Sequence, residues 1–236
     1  MRNPEKQYIV RTFLVCLLGA SVALAAAPQA PGPEPNKGAA PAALQDYLHQ
    51  VESSYRAVRT LSTEFTQTYL SGGRTRVESG KVYFAKGGLM RWDYQRPKDK
   101  LFLSDGKRLL LYVPDEKQLT RTPLKASEDM RVPFRLLLSR FDLRRLFSRI
   151  EFADGAWPHD PSDRILRAFP KRGWEEDYRE ARIELDPQFD IRRLEIVYPD
   201  ESVMDFRFDK LVRNAPLTPS LFKFTPPPGT EIIDQW

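Results

Sequence analysis

The chain has 236 residues, 37 Lys and Arg against 32 Asp and Glu, a formal net charge of +5 and one cysteine. That length allows one sizeable core, and a lone cysteine excludes a disulfide framework. A balance this weakly positive, with its arginines at helical spacing, is not a nucleic-acid signature.

The N-terminus begins with a basic stretch (Arg2, Lys6, Arg11) and an apolar run from Thr12 to Leu24 that is short for a membrane span. Ala23-Leu24-Ala25 then offers a small-x-small cleavage site. Together these predict a secretory signal peptide over residues 1–25. Cys16 lies inside it behind Val15, which argues against lipid attachment. Cleavage would remove three basic residues and Glu5, lowering the net charge from +5 to +3. Residues 26–41 (AAPQAPGPEPNKGAAP) are predicted to be a disordered leader, with a single domain over 42–236.

Leu44, Tyr47, Leu48, Val51, Tyr55 and Val58 recur at three- and four-residue spacing, which predicts one amphipathic helix over 42–59. From Leu61 the period becomes two: Leu61, Thr63, Phe65, Gln67 and Tyr69 alternate with polar neighbours up to the Ser71-Gly72-Gly73 turn. Strands follow over 77–85, 89–95, 100–104, 108–113 and 117–122, with Asp105-Gly106 as a hairpin signal. The connections are too short for crossover helices, so the pairing is antiparallel. Pro133 to Leu138 and Asp142 to Phe147 read as two short helices. Strands return over 164–169, 181–186, 190–198 and 202–212, about ten in all. The expected fold is mainly β (α+β): an open, curved antiparallel sheet with helices over its concave face. Whether side chains fill that face or leave a pocket is not set by the pattern.

Enzymatic readings find little support. His49 and His159 have no second histidine or cysteine at metal-ligand spacing. Ser104-Asp105-Gly106 lacks the nucleophile-elbow pattern and reads as a turn, and Glu175-Glu176-Asp177 reads as a solvated acidic loop.

Phe65-Thr66-Gln67, Phe84, Leu89, Trp92, Pro97, Leu103-Ser104-Asp105-Gly106, Tyr112-Val113-Pro114 and Gln118 resemble the core pattern of the LolA family of periplasmic lipoprotein carriers. Pro133-Phe134 with the following leucines is similar to that family's lid helix, and Phe222 to Gly229 to its C-terminal segment. The resemblance implies an unclosed β half-barrel in the periplasm whose apolar cavity holds acyl chains of lipoproteins. As partners it implies an inner-membrane ABC-type releasing complex and an outer-membrane acceptor. No enzyme activity, cofactor, metal or nucleic-acid partner is expected, and the chain is expected to be a monomer. Met90, Trp92 and Tyr94 fall on one strand face, and the resemblance puts the first two on the cavity side, with Leu101, Leu103, Leu109 and Leu111 as candidates for further lining. Lid residues are Pro133, Phe134, Leu137, Leu138 and Phe141. Lys86 stands where the family has an arginine latch and Gly87 where it has proline, with Arg91 and Arg96 as nearby substitutes for the arginine. Two alternatives keep the fold: a carrier of another lipid such as a glycolipid, or a regulatory domain that senses lipids or lipoproteins.

Overall fold

In the computed structural model the described residues are 40–124, 143–153, 155, 157 and 160–235. The expected signal peptide, nearly all of the expected leader and every lid candidate lie outside them. Residues Leu44–Trp236 form one unit, and residues 1–43 another of which only the last four are described.

Helix α1 spans Ala40–Arg56, starting two residues earlier and ending three earlier than its apolar spacing predicts. Pro41 falls in the first turn, where its missing N–H goes unused by the helix, so the expected leader overlaps the helix start. At the other end Val58 N–H closes a tighter turn on the Tyr55 carbonyl, and β1 begins at Thr60. Leu48 and Val51 of the apolar stripe are fully buried, and His49 is exposed.

Twelve strands make one sheet: β1 Thr60–Ser71, β2 Arg74–Ala85, β3 Leu89–Arg96, β4 Leu101–Asp105, β5 Arg108–Val113, β6 Gln118–Pro123, β7 Arg149–Phe152, β8 Arg164–Phe169, β9 Glu180–Leu185, β10 Ile191–Val197, β11 Val203–Arg213 and β12 Glu231–Asp234. Their order is β12-β6-β5-β4-β3-β2-β1-β11-β10-β9-β8-β7. The chain meanders from β1 outward to β6, passes to the far edge at β7, and meanders back until β11 pairs with β1. β7 and β12 stand at opposite ends of the order and leave the sheet unclosed. A short helix α2, Leu143–Leu146, precedes β7 with both leucines buried.

The sequence pattern misses β7 and β12, each four residues long and too short to reveal a period. β12 pairs with β6 in parallel, the one non-antiparallel ladder among the described residues. The segment leading to it crosses the outer face of β3–β5. There Phe222 is buried, Arg91 donates to the Leu221 carbonyl at 3.0 Å, and Phe224 packs 5.2 Å from Tyr112. Arg121 and Asp234 form a two-bonded ion pair at 2.7 and 2.6 Å that holds the edge.

The outer face of β7–β11 carries an ion-pair ladder in which Arg149, Arg167, Arg182, Arg193 and Arg207 alternate with Glu151, Glu180, Glu195 and Asp205. Beside its middle Trp157 Nε1 donates to Glu184 at 3.3 Å, and the indole ring lies 4.6 Å from the Arg193 guanidinium. Burial holds the Glu184 carboxyl above the usual carboxylate range. A hydrogen bond with Asp163 adds to this, against Trp157 and Arg193. A carboxyl whose folded pKa is raised binds its proton more tightly folded than unfolded. Its contribution to stability is present at low pH and lost as pH rises through the folded value. Glu184→Gln keeps the hydrogen bonds without the buried charge. It is expected to raise the melting temperature at pH 7 by about 2–4 °C, with the gain shrinking toward pH 4. Thermal melts of both proteins from pH 4 to 8 check the trend, and a constant difference across that range would sink it.

Candidate functional site

The alternation of β1 puts Leu61, Thr63, Phe65, Gln67 and Tyr69 on one face, and all five are buried. Register carries this face to Phe84, Val82 and Glu78 on β2, to Met90, Trp92 and Tyr94 on β3, and to Met204, Phe206 and Phe208 on β11. Trp92 is 1% exposed, and its ring lies 4.7 Å from Phe65, 6.0 Å from Phe84, 5.6 Å from Phe206 and 6.5 Å from Phe208. β3 and β11 are three strand spacings apart, about 14 Å in a flat sheet. Ring contact across that gap requires the sheet to bend toward this face, which is therefore concave.

Gly80 makes part of this geometry. It sits in register between Phe65 and Tyr94, beside a bulge at Ser79 and Gly80. A Cβ there would lie 2.0 Å from the Asp93 carbonyl oxygen, so only glycine permits the close approach of β2 to β3. The rings of Phe65 and Tyr94 meet over the bare backbone at 5.1 Å.

Cross-strand pairing continues the face from Trp92 to Phe102 and Leu111, and from Met90 to Ser104 and Leu109. Met90, Trp92, Tyr94, Leu109 and Leu111 thus share the concave side. Leu101 and Leu103 do not: they pair with Tyr112 and Leu110 and pack with Leu119 on the outer side, under Phe224. The expectation of one four-leucine lining is corrected accordingly. Phe102, missed in the sequence, takes their place. β4 is buried on both faces, so alternation carries no signal for which side faces which.

The concave face is not apolar throughout. About 20 Å along β1 from Leu61, Tyr94 Oη donates to Gln67 Oε1 at 3.2 Å, and Gln67 Nε2 points at the Met204 sulfur at 3.8 Å. Lys100 Nζ donates to Glu78 Oε2 at 2.8 Å and lies 4.4 Å from the Tyr94 ring centre. Arg76 flanks Glu78 at 3.5 Å. Burial holds the Lys100 ammonium below its usual pKa, against the pull of Glu78, and holds the Tyr94 phenol well above its own.

At the other end Lys86 is exposed, and its Nζ donates to the Arg56 carbonyl at 3.2 Å, satisfying a terminal carbonyl of α1. Arg91 lies on the outer face, bonded to Asp93 at 2.8 Å and to Leu221, so it does not stand in for a latch on the concave side. Arg96 is exposed at the end of β3. Among the described residues no group of three or more His, Cys, Asp or Glu is placed to hold a metal.

These features define an unclosed β half-barrel with an aromatic concave face that ends in a polar cluster. The chain belongs to the LolA family: residues 56–225 match the family described as "Outer membrane lipoprotein carrier protein LolA". It is 28% identical over 194 residues to an outer-membrane lipoprotein carrier protein of Dechloromonas aromatica, covering 80% of this chain and 88% of that protein. It is also 28% identical over 193 residues to one of Nitrosospira multiformis, with 80% and 88% covered. Among solved structures, an uncharacterized conserved protein of Thermus thermophilus shares the fold, with a TM-score of 0.51, 13% identity, and 82% and 99% of the two chains covered.

Proposed function

We propose that the protein is a periplasmic chaperone that holds the acyl chains of lipoproteins against its concave face and carries them from the inner to the outer membrane. The observation that carries this reading is the aromatic floor around Trp92 in a chain of the LolA family. Exposing a chain of ~16 carbons to water costs on the order of 10 kcal/mol, at about 0.8 kcal/mol per CH₂. Such a cargo needs a shield to cross an aqueous compartment, and rings stacked edge to face supply one without strong directional bonds. Pro133, Phe134, Leu137, Leu138 and Phe141 supply the apolar cover over the chains, with Met90, Trp92, Tyr94, Phe102, Leu109 and Leu111 beneath. Chains are received from an inner-membrane ABC-type releasing complex and passed to an outer-membrane acceptor.

Lys86 has two roles in this reading: it fixes the end of α1 and it latches the cover. The test adds purified mature protein to spheroplasts and looks for newly made lipoproteins in the supernatant as a one-to-one soluble complex. The expected result is release by the wild-type chain and release reduced severalfold by Lys86→Leu. The stability change in that variant should stay within about 1 kcal/mol, as suits an exposed capping contact. Normal release by Lys86→Leu would leave the residue its structural role alone. No release by the folded wild-type chain would remove the carrier reading.

A further inference from the structure

We infer that the polar end of the concave face is a binding subsite for the oxygen-rich linkage of an acyl lipid, an ester or phosphate, with the hydrocarbon lying along the aromatic floor. The inference rests on the carrier reading and adds to it the orientation and chemistry of the cargo. Three observations support it. Tyr69 is 7% exposed, and its hydroxyl has no hydrogen-bond partner among the described residues, a costly state for a buried O–H. Two strand positions away on the same face, the buried Gln67 amide donates only to a thioether, a weak acceptor. Two cations stand beside them: the Arg76 guanidinium 5.9 Å from the Tyr69 ring centre, and Lys100 over the Tyr94 ring.

The cluster is therefore rich in donors and poor in acceptors. Its protein acceptors are already engaged, Glu78 by Lys100 and Gln67 Oε1 by Tyr94. What the Tyr69 hydroxyl lacks is an acceptor, and one with negative charge suits the two cations beside it. A carbonyl, ester or phosphate oxygen meets that need, while a bare hydrocarbon or an ammonium group does not. The site also adjoins the floor directly, because the Tyr94 ring touches Phe65, which touches Trp92. A ligand with its oxygens at Tyr69 would lay its chain over those rings.

The test uses three probes of equal chain length on the delipidated mature protein: hexadecane, monopalmitoylglycerol and palmitoyl-lysophosphatidylglycerol. Wild-type protein is expected to bind one or both oxygen-bearing probes more tightly than hexadecane. Tyr69→Phe is expected to weaken that binding about tenfold, the loss of one hydrogen bond, and to leave hexadecane binding unchanged. In the unloaded chain the same substitution should raise the melting temperature, because it deletes an unpaired buried hydroxyl. Preference for both oxygen-bearing probes assigns the ester as the ligand group; preference for the lysophospholipid alone assigns the phosphate. Equal binding of all three probes, or no effect of Tyr69→Phe on their ratio, overturns the subsite while leaving the carrier reading intact. A fall in melting temperature on Tyr69→Phe also overturns it, since the hydroxyl would then be satisfied within the fold. Absence of binding by every probe removes both readings together.

Discussion

Trp92→Ala is expected to destabilise the protein by about 3–5 kcal/mol, the range for truncating a buried tryptophan, and to shift its denaturant midpoint without losing cooperativity. The side chain is 1% exposed and touches aromatic rings on three other strands, β1, β2 and β11. Its removal deletes contacts on every side at once and leaves a void that the sheet backbone cannot collapse to fill. With typical domain stabilities of about 5–15 kcal/mol, a loss of this size consumes roughly a fifth or more of the total. Trp92→Phe keeps one ring of the cluster and should cost roughly half as much. The functional reading makes a second demand on the same variant. If acyl chains lie on this floor, a chain can fill the void left by alanine. Palmitoyl lipid should then raise the melting temperature of Trp92→Ala by more than that of the wild type. Melts of both proteins with and without lipid measure this. A small loss of stability, under about 1 kcal/mol, would mean that the ring faces open space and that the floor is not packed.

What the sequence could say about this floor depended on whether only one face of each strand was buried. In β1 the outward residues from Ser62 to Thr68 are polar, and the reading of Leu61, Phe65, Gln67 and Tyr69 as one face holds in the structure. Trp92 and Met90 are legible for the same reason, since β3 alternates cleanly. In β4 four successive residues are buried, because the C-terminal segment covers the outer face with Phe222 and Phe224. That cover comes from more than a hundred residues away, and no local period encodes it. Leu101 and Leu103 therefore face the outer side against the sequence expectation, and nothing local singles out Phe102. The polar end escaped notice for a related reason. Glu78 and Lys100 read locally as ordinary strand-end charges, and only the β2–β3 register with its bulge at Gly80 brings them together inside. The family resemblance supplied the half-barrel, but not this charged boundary.

That boundary sets up the second large effect. Lys100→Met is expected to cost about 3 kcal/mol, because it strands the Glu78 carboxylate in a buried position. Lys100 is 8% exposed and Glu78 5%, and their 2.8 Å ion pair lies against the Tyr94 ring. Arg76, at 3.5 Å and half in solvent, offers the orphaned carboxylate only partial compensation, which holds the cost near the lower end for broken buried pairs. Glu78→Leu combined with Lys100→Met removes both charges and should recover most of the loss, since apolar replacements of buried ion pairs are often neutral or better. The two single variants and the double variant form a cycle, read by denaturant unfolding at pH 7. Near-additive single effects would show a solvated pair contributing little. Strong coupling with a stable double variant means that the fold itself does not require the charges. An apolar floor that ends in a dispensable, costly ion pair then has to draw its reason from the ligand. The double variant should accordingly hold a plain hydrocarbon as well as the wild type does, and hold an ester- or phosphate-bearing lipid less well.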